Sequence, residues 1–390
     1  MQAGVAHVEF VLPRGVPLAG YSRRKGAPSR GLHDPVGVRA LVLEDGVTTA
    51  ALVSCDLLIV DEHLADVVRQ RLVAEGLPPT LLLILAATHT HSGPGAYGTR
   101  FFEKISMGHF DPQVFKALVD AITDAVVAAH DTLEPVRIAY GTAQTSGLVV
   151  NRMDPRGLAD GELTVAGVFR RTGSDPLAVL VNFSAHPTVL GAGNRELSAD
   201  YPGAAVRAIE QRYPGAVALF FAGSVADQAP VKSGDAFARV EEIGRELART
   251  AATILDGAKP QSPSRLRAYQ ERMALPPARV RLGWLAFPRW LGSQFVDDDA
   301  TLSMVEVGST VFLGVPCDLA ASLGQRLKGA AQAQGLQPMV IGFASDYIGY
   351  CVPESLYEAK QYESSMAFNG PKTGELVVNR LIEMLKGQRQ

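Results

Sequence analysis

Only three cysteines occur in 390 residues, Cys55, Cys317 and Cys351, and an odd number cannot all pair within one chain. That argues against a disulfide framework and fits a reducing compartment. No paired-cysteine zinc-ribbon spacing is present either, so a structural zinc finger is excluded. Charge of neither sign dominates: 37 basic against 40 acidic residues leave a net charge of −3, which gives no basic footprint for nucleic acid or an anionic membrane. No apolar run approaches the length needed to span a bilayer, and Met1 to Phe10 carries neither a basic nor an apolar leader region. The expectation is a cytoplasmic chain as written, or a secreted or periplasmic one if a leader has been removed. Aromatics are sparse as well, with two tryptophans in the whole chain, both between Leu282 and Phe295.

What remains is a hydrophobic content of 47%, enough for a sizeable core. Its pattern alternates short apolar runs with amphipathic stretches. Val38 to Leu43 and Thr48 to Ser54 flank Asp45-Gly46, a hairpin turn signal. Val165 to Arg170 with Leu177 to Phe183, and Thr301 to Val307 with Thr310 to Val315, repeat the pattern. Helical spacing follows at Glu62 to Glu75, Pro112 to His130, Ala236 to Leu255, Leu319 to Gln332 and Gly374 to Lys386. At Ala199-Asp200-Tyr201-Pro202, Asp200 reads as the N-cap of a helix with Pro202 in its first turn. Hairpins interleaved with helices predict an α/β fold: a mixed β-sheet core with flanking helices, in one domain over 1–390.

Chemistry concentrates at the ends of the apolar runs. Leu81 to Leu85 reads as a buried strand and leads into His89 and His91, followed by a Ser92-Gly93-Pro94-Gly95 turn. Extended backbone would aim residues two apart to the same side, so both imidazoles could face one point. His186 is the only histidine after His130, and it follows the apolar run ending at Phe183. Asp56, Asp227, Asp318 and Tyr350 likewise follow apolar runs. In open α/β sheets ligands bind beyond the carboxyl ends of strands, so these groups are candidates for one rim. Three histidines and a carboxylate form a donor set that suits zinc. The same histidines also admit partly exposed loop roles, and Asp318 alone reads as an N-cap for the helix beginning near Leu319. A barrel amidohydrolase would place its His-x-His after the first strand and a further histidine beyond His186. A metallo-β-lactamase-like site would have Asp where Gly93 stands.

Taken together, six segments make this chain similar to the catalytic domain of the neutral/alkaline, non-lysosomal ceramidases and their bacterial hydrolase relatives. They are Leu18-Ala19-Gly20-Tyr21, Ala87 to Gly95 (ATHTHSGPG), Asn151-Arg152, Phe183 to Thr188 (FSAHPT), Gly314 to Asp318, and Tyr350 to Glu363 (YCVPESLYEAKQYE). The resemblance implies a zinc-dependent hydrolase that cleaves the amide of an N-acylated substrate, ceramide or a ceramide-like sphingolipid being the expected class. It implies zinc held by His89, His186, Asp318 and Tyr350. His91, Arg152 and Tyr362 would be catalytic, with the backbone at Gly20 facing the substrate. An esterase or deacylase of a small polar substrate, or a catalytically silent binding homologue, is the alternative. The family pattern has Glu where Asp318 stands, and its Gly-Asp-x-Ser-Pro appears here as Ala226-Asp227-Gln228-Ala229-Pro230. No C-terminal β domain is expected within 1–390. Trp284 and Trp290, flanked by Arg279, Arg281 and Arg289, form either a substrate-binding lip for an acyl chain or an ordinary core or dimer contact. Expected partners are thus a small-molecule or lipid N-acyl substrate and no nucleic acid, with a homodimer left open.

Overall fold

Leu82–Ala87 is apolar at every position and Pro176–Phe183 at all but Asn182, and both are buried along their whole length, the pattern of strands covered on both faces. Both belong to an eight-stranded sheet in a computed structural model that describes residues 1–278, 281–282, 285–286, 296–358 and 362–387. In chain order its strands are β1 (Gln2–Glu9), β2 (Gly37–Glu44), β3 (Thr49–Cys55), β4 (Leu82–Ala87), β5 (Glu134–Gln144), β6 (Glu162–Arg170), β7 (Pro176–Phe183) and β8 (Val217–Ala222). Their spatial order is β8-β7-β6-β5-β1-β2-β3-β4. The outermost pairs, β7 with β8 and β3 with β4, are parallel, and the pairs between them are antiparallel. A second, four-stranded sheet runs β9 (Leu266–Ala274), β10 (Asp299–Val307), β11 (Thr310–Gly314) and β12 (Gln337–Ile341), with β11 and β12 parallel. The fold is α/β with mixed sheets and flanking helices, as the hairpin pattern predicts.

The two halves of the large sheet meet through only two residue pairs, Gln2 with Pro135 and Ala3 with Glu134. So thin a join lets the sheet fold over on itself, and Ser54 Oγ of β3 donates to the Phe220 carbonyl of β8 at 2.5 Å. The second sheet is pinned to both halves. Gly342 N–H donates to Ala222 O at 2.8 Å, Ser345 N–H to Leu85 O at 2.7 Å, and Asn182 Nδ2 to Val340 O at 2.8 Å. The carboxyl ends of β4, β7, β8 and β12 therefore meet around one segment, residues 342–350.

Helices cover the outer faces. Pro112–Asp131 starts with Asp111, whose carboxylate accepts from Gln113 N–H, and buries Val114, Leu118, Ile122 and Val126 along one stripe. Two expected caps fall elsewhere. The helix Asp200–Arg212 is preceded by Ala199, while Asp200 has φ 56° and accepts from the backbone N–H groups of Leu190 and Tyr201. Ala320, not Asp318, is the N-cap position of Ala321–Gln332, and the Ala321 N–H is satisfied by Asp227 Oδ1 at 2.9 Å. Among the described residues no helix is long and apolar enough to cross a membrane.

Candidate metal centre

His89 follows β4 with φ 64°, in the left-handed region, which costs an ordinary residue roughly 1–2 kcal/mol. Its ring and that of His91 converge through this turn rather than through the strand alternation expected from their spacing. His89 Nδ1 lies 2.7 Å from Leu58 O, and His186 Nδ1 lies 3.0 Å from Val225 O. A carbonyl only accepts, so each Nδ1 carries the proton and each Nε2 presents a lone pair. Those two Nε2 atoms stand 2.9 Å apart, and His91 Nε2 is 3.2 Å from that of His89. Two lone pairs at that distance repel unless a cation lies between them. A proton is disfavoured, because burial lowers the His89 pKa to about 3 and holds that of His186 well below its ordinary value, with the nearby Arg152 charge adding to both shifts.

Asp318 supplies the negative charge. It is fully buried, and its Oδ1 is 3.6 Å from the Nε2 atoms of both His89 and His186. That oxygen has no hydrogen-bond partner among the described residues, whereas Oδ2 accepts from the Tyr347 hydroxyl at 2.8 Å. Burial raises the carboxyl pKa to about 7, against the opposing pull of the Tyr347 hydrogen bond and Arg152. An orphaned carboxylate oxygen and converging imidazole lone pairs are the donors a divalent cation such as zinc takes. The three histidines offer ring nitrogens that all lie within 4.8 Å of one another. Among the described residues, the ion-pair contacts of Asp318 are with His89 and His186, not His91.

Tyr350 sits beside Asp318 because the two residues pair in a short parallel bridge. Its hydroxyl is 3.1 Å from Arg152 Nη2, and the Arg152 guanidinium lies 5.9 Å from the centre of its ring. Arg152 is itself held by Ala226 O, at 2.9 Å from Nε and 2.6 Å from Nη2, and by Glu363 at 3.2 Å. On the other side, Gly20 backs His91. It has φ 102°, and a Cβ there would come within 2.5 Å of His91 Nδ1. Arg24 ties this loop down by donating to Ala19 O at 2.7 Å and to His91 O at 2.5 Å. A cavity of about 90 Å³ opens onto the cluster, bounded by Gly20, His89, His91, Tyr347 and Tyr350, with Leu58, Ile59, Met366 and Phe368 as apolar wall and Arg100 and Glu103 at its edge.

The structure thus brings together His89, His91, His186, Asp318, Tyr350, Arg152 and Gly20. It assigns two other strand-end carboxylates to the scaffold. Asp56 accepts from Gly37 N–H, and Asp227 divides its oxygens between Ala321 N–H and the Asn151 amide. Tyr362 opens the short helix Tyr362–Ser365, but its side chain lies outside the described part, as do Trp284 and Trp290. Sequence reasoning missed Tyr347, Phe343 and Glu363. Tyr347 stands three residues before Tyr350, and only its distance to Asp318 singles it out.

Comparisons with known proteins bear on the family and the fold. The family model described as "Neutral/alkaline non-lysosomal ceramidase, N-terminal" matches residues 12–240. A neutral ceramidase of Pseudomonas aeruginosa is 24% identical, the match covering 96% of this chain and 70% of that protein. One from Drosophila melanogaster is 21% identical over 94% of this chain and 71% of its own length. A shorter match to a neutral ceramidase of Mycobacterium tuberculosis, 27% identical, takes in 48% of this chain and 32% of the relative. In three dimensions, the crystal structure of the Pseudomonas aeruginosa enzyme superposes with a TM-score of 0.89 at 22% identity, covering all of this chain and 74% of that one. The matched stretch runs through more than half of the sequence and contains Gly20, His89, His91, Arg152 and His186. This chain therefore belongs to the neutral/alkaline non-lysosomal ceramidase family.

Proposed function

We propose that the chain is a zinc-dependent hydrolase that cleaves the amide bond of an N-acylated substrate, ceramide or a ceramide-like lipid. The observation that carries the reading is the pair of facing Nε2 lone pairs of His89 and His186, 2.9 Å apart beside the unpaired Oδ1 of Asp318. His89, His186 and Asp318, with the Tyr350 hydroxyl next to them, are the residues that would hold the ion. Bound zinc supplies Lewis acidity and lowers the pKa of a water molecule to about 7. His91, at the cavity wall, takes a proton from the nucleophile and returns it to the leaving amine, since amide cleavage needs both transfers. Arg152 puts donors where charge develops on the carbonyl oxygen, and Tyr362 joins it in this assignment. Because the large sheet provides both histidine ligands and the strand ends of the small sheet provide Asp318 and Tyr350, residues 1–390 act as one catalytic domain in this reading.

The test is elemental analysis of the purified chain together with a panel of N-acyl amides and esters of graded chain length. One zinc per chain with turnover of long-chain N-acyl lipids is the expected result. Turnover confined to short polar amides or to esters would replace the lipid substrate. Zinc without turnover across the panel would make the chain a binding homologue. On the same panel, Gly20→Ala should lower kcat by about 10²-fold and lower the melting temperature as well, because the new methyl displaces the His91 ring and φ 102° strains any residue that carries a Cβ. A wild-type kcat in that variant would remove the glycine from the site.

A further inference from the structure

Asp318 reaches the histidine nitrogens on a side chain one methylene shorter than glutamate, and a carboxylate turns easily about its terminal torsion. Something must decide which oxygen faces the cation. The Tyr347 hydroxyl donates to Oδ2 at 2.8 Å, and Oδ1 is left pointing at the Nε2 atoms 3.6 Å away. Tyr347 is fixed in turn: its N–H donates to Asp346 Oδ1 at 2.7 Å, and its ring stacks on Phe343 with centroids 6.1 Å apart and planes 24° from parallel. Phe343 stacks on the His89 ring at 3.9 Å, with planes 8° apart. Phe343 and Ser345 hold this arrangement with φ 56° and 62°, left-handed values that a bulky side chain keeps only where its surroundings impose them.

We propose that Tyr347 is the positioning residue for Asp318. It holds Oδ2 so that Oδ1 alone is offered to the cation, and through Phe343 the same aromatic stack sets the plane of His89. This rests on the metal-binding reading given above.

The test compares the wild-type chain with Tyr347→Phe, which keeps the ring and removes only the hydroxyl. Zinc dissociation constants are measured by competition with a chelator, visible spectra are recorded after cobalt(II) loading, and melting temperatures are taken without metal. Expected is a 10- to 100-fold weaker zinc affinity, the usual scale for losing a hydrogen bond to a metal ligand. The cobalt spectrum should shift as the carboxylate reorients, the metal-free melting temperature should stay within a few degrees, and kcat should largely recover at saturating zinc. Unchanged affinity and spectrum would overturn the proposal. So would a large fall in metal-free melting temperature with affinity intact, which would make Tyr347 a packing residue, or a lowered kcat with affinity intact, which would make it a direct contact of the substrate. A wild-type chain that binds no zinc would defeat the metal-binding reading itself, whereas equal binding by both forms defeats only this inference.

Discussion

His186→Ala is expected to reduce zinc from one ion per chain to near zero and turnover by about 10³-fold or more. The reason lies in the donor count. His186 Nε2 is one of two buried imidazole lone pairs facing each other across 2.9 Å, and without it the Asp318 oxygen and His89 cannot close a tight site. A Lewis acid contributes several kcal/mol to the reaction, and each ~1.4 kcal/mol is tenfold in rate, so losing about 4 kcal/mol gives the stated factor. Stability should fall more modestly, because the Val225 carbonyl loses a donor worth about 1 kcal/mol and a small void is left. Elemental analysis and a melting curve on the same preparation separate these effects. Full zinc content in a folded variant would remove His186 from the ligand set.

The second large effect is expected at His91, with the opposite signature. His91→Ala should keep one zinc per chain while kcat falls by about 10²- to 10⁴-fold, the range for losing a general acid or base. Two features separate it from its neighbours. Its Nδ1 has no hydrogen-bond partner among the described residues to fix a tautomer, and the ion-pair contacts of Asp318 are with His89 and His186. Partial rescue of kcat by added imidazole would support a proton-transfer role. Loss of zinc on the same substitution would instead make His91 the third nitrogen ligand and move proton transfer to another group.

These experiments probe a site that the sequence outlined in part. The apolar runs, the Asp-Gly turn of the first hairpin and the capped stripe of Pro112–Asp131 are local features, decided within a few residues by propensity and periodicity. His89, His91 and His186 stood out because each follows such a run. The carboxylates did not sort themselves that way. From the residues alone Asp318 read either as a rim group or as a helix cap, with only the family resemblance making it a ligand, and Asp227 read as a rim group; in the fold Asp227 caps the helix at Ala321 and Asp318 faces the histidines. Aspartate suits both roles equally well, and only the neighbour supplied by a distant strand separates them.

By itself, then, the sequence determined the mixed α/β pattern, the strands that carry the histidines and the motifs shared with the family. Tertiary structure decided that residues nearly 100 positions apart present their Nε2 atoms to one point. It also decided that Tyr347, Phe343 and Glu363 surround that point. The physical reason is the thin join of the large sheet. With only two residue pairs linking its halves, strand order and the fold-over are set by long-range bonds such as Ser54 to Phe220 and Gly342 to Ala222. No local propensity encodes those bonds, and they form only when the whole chain is packed.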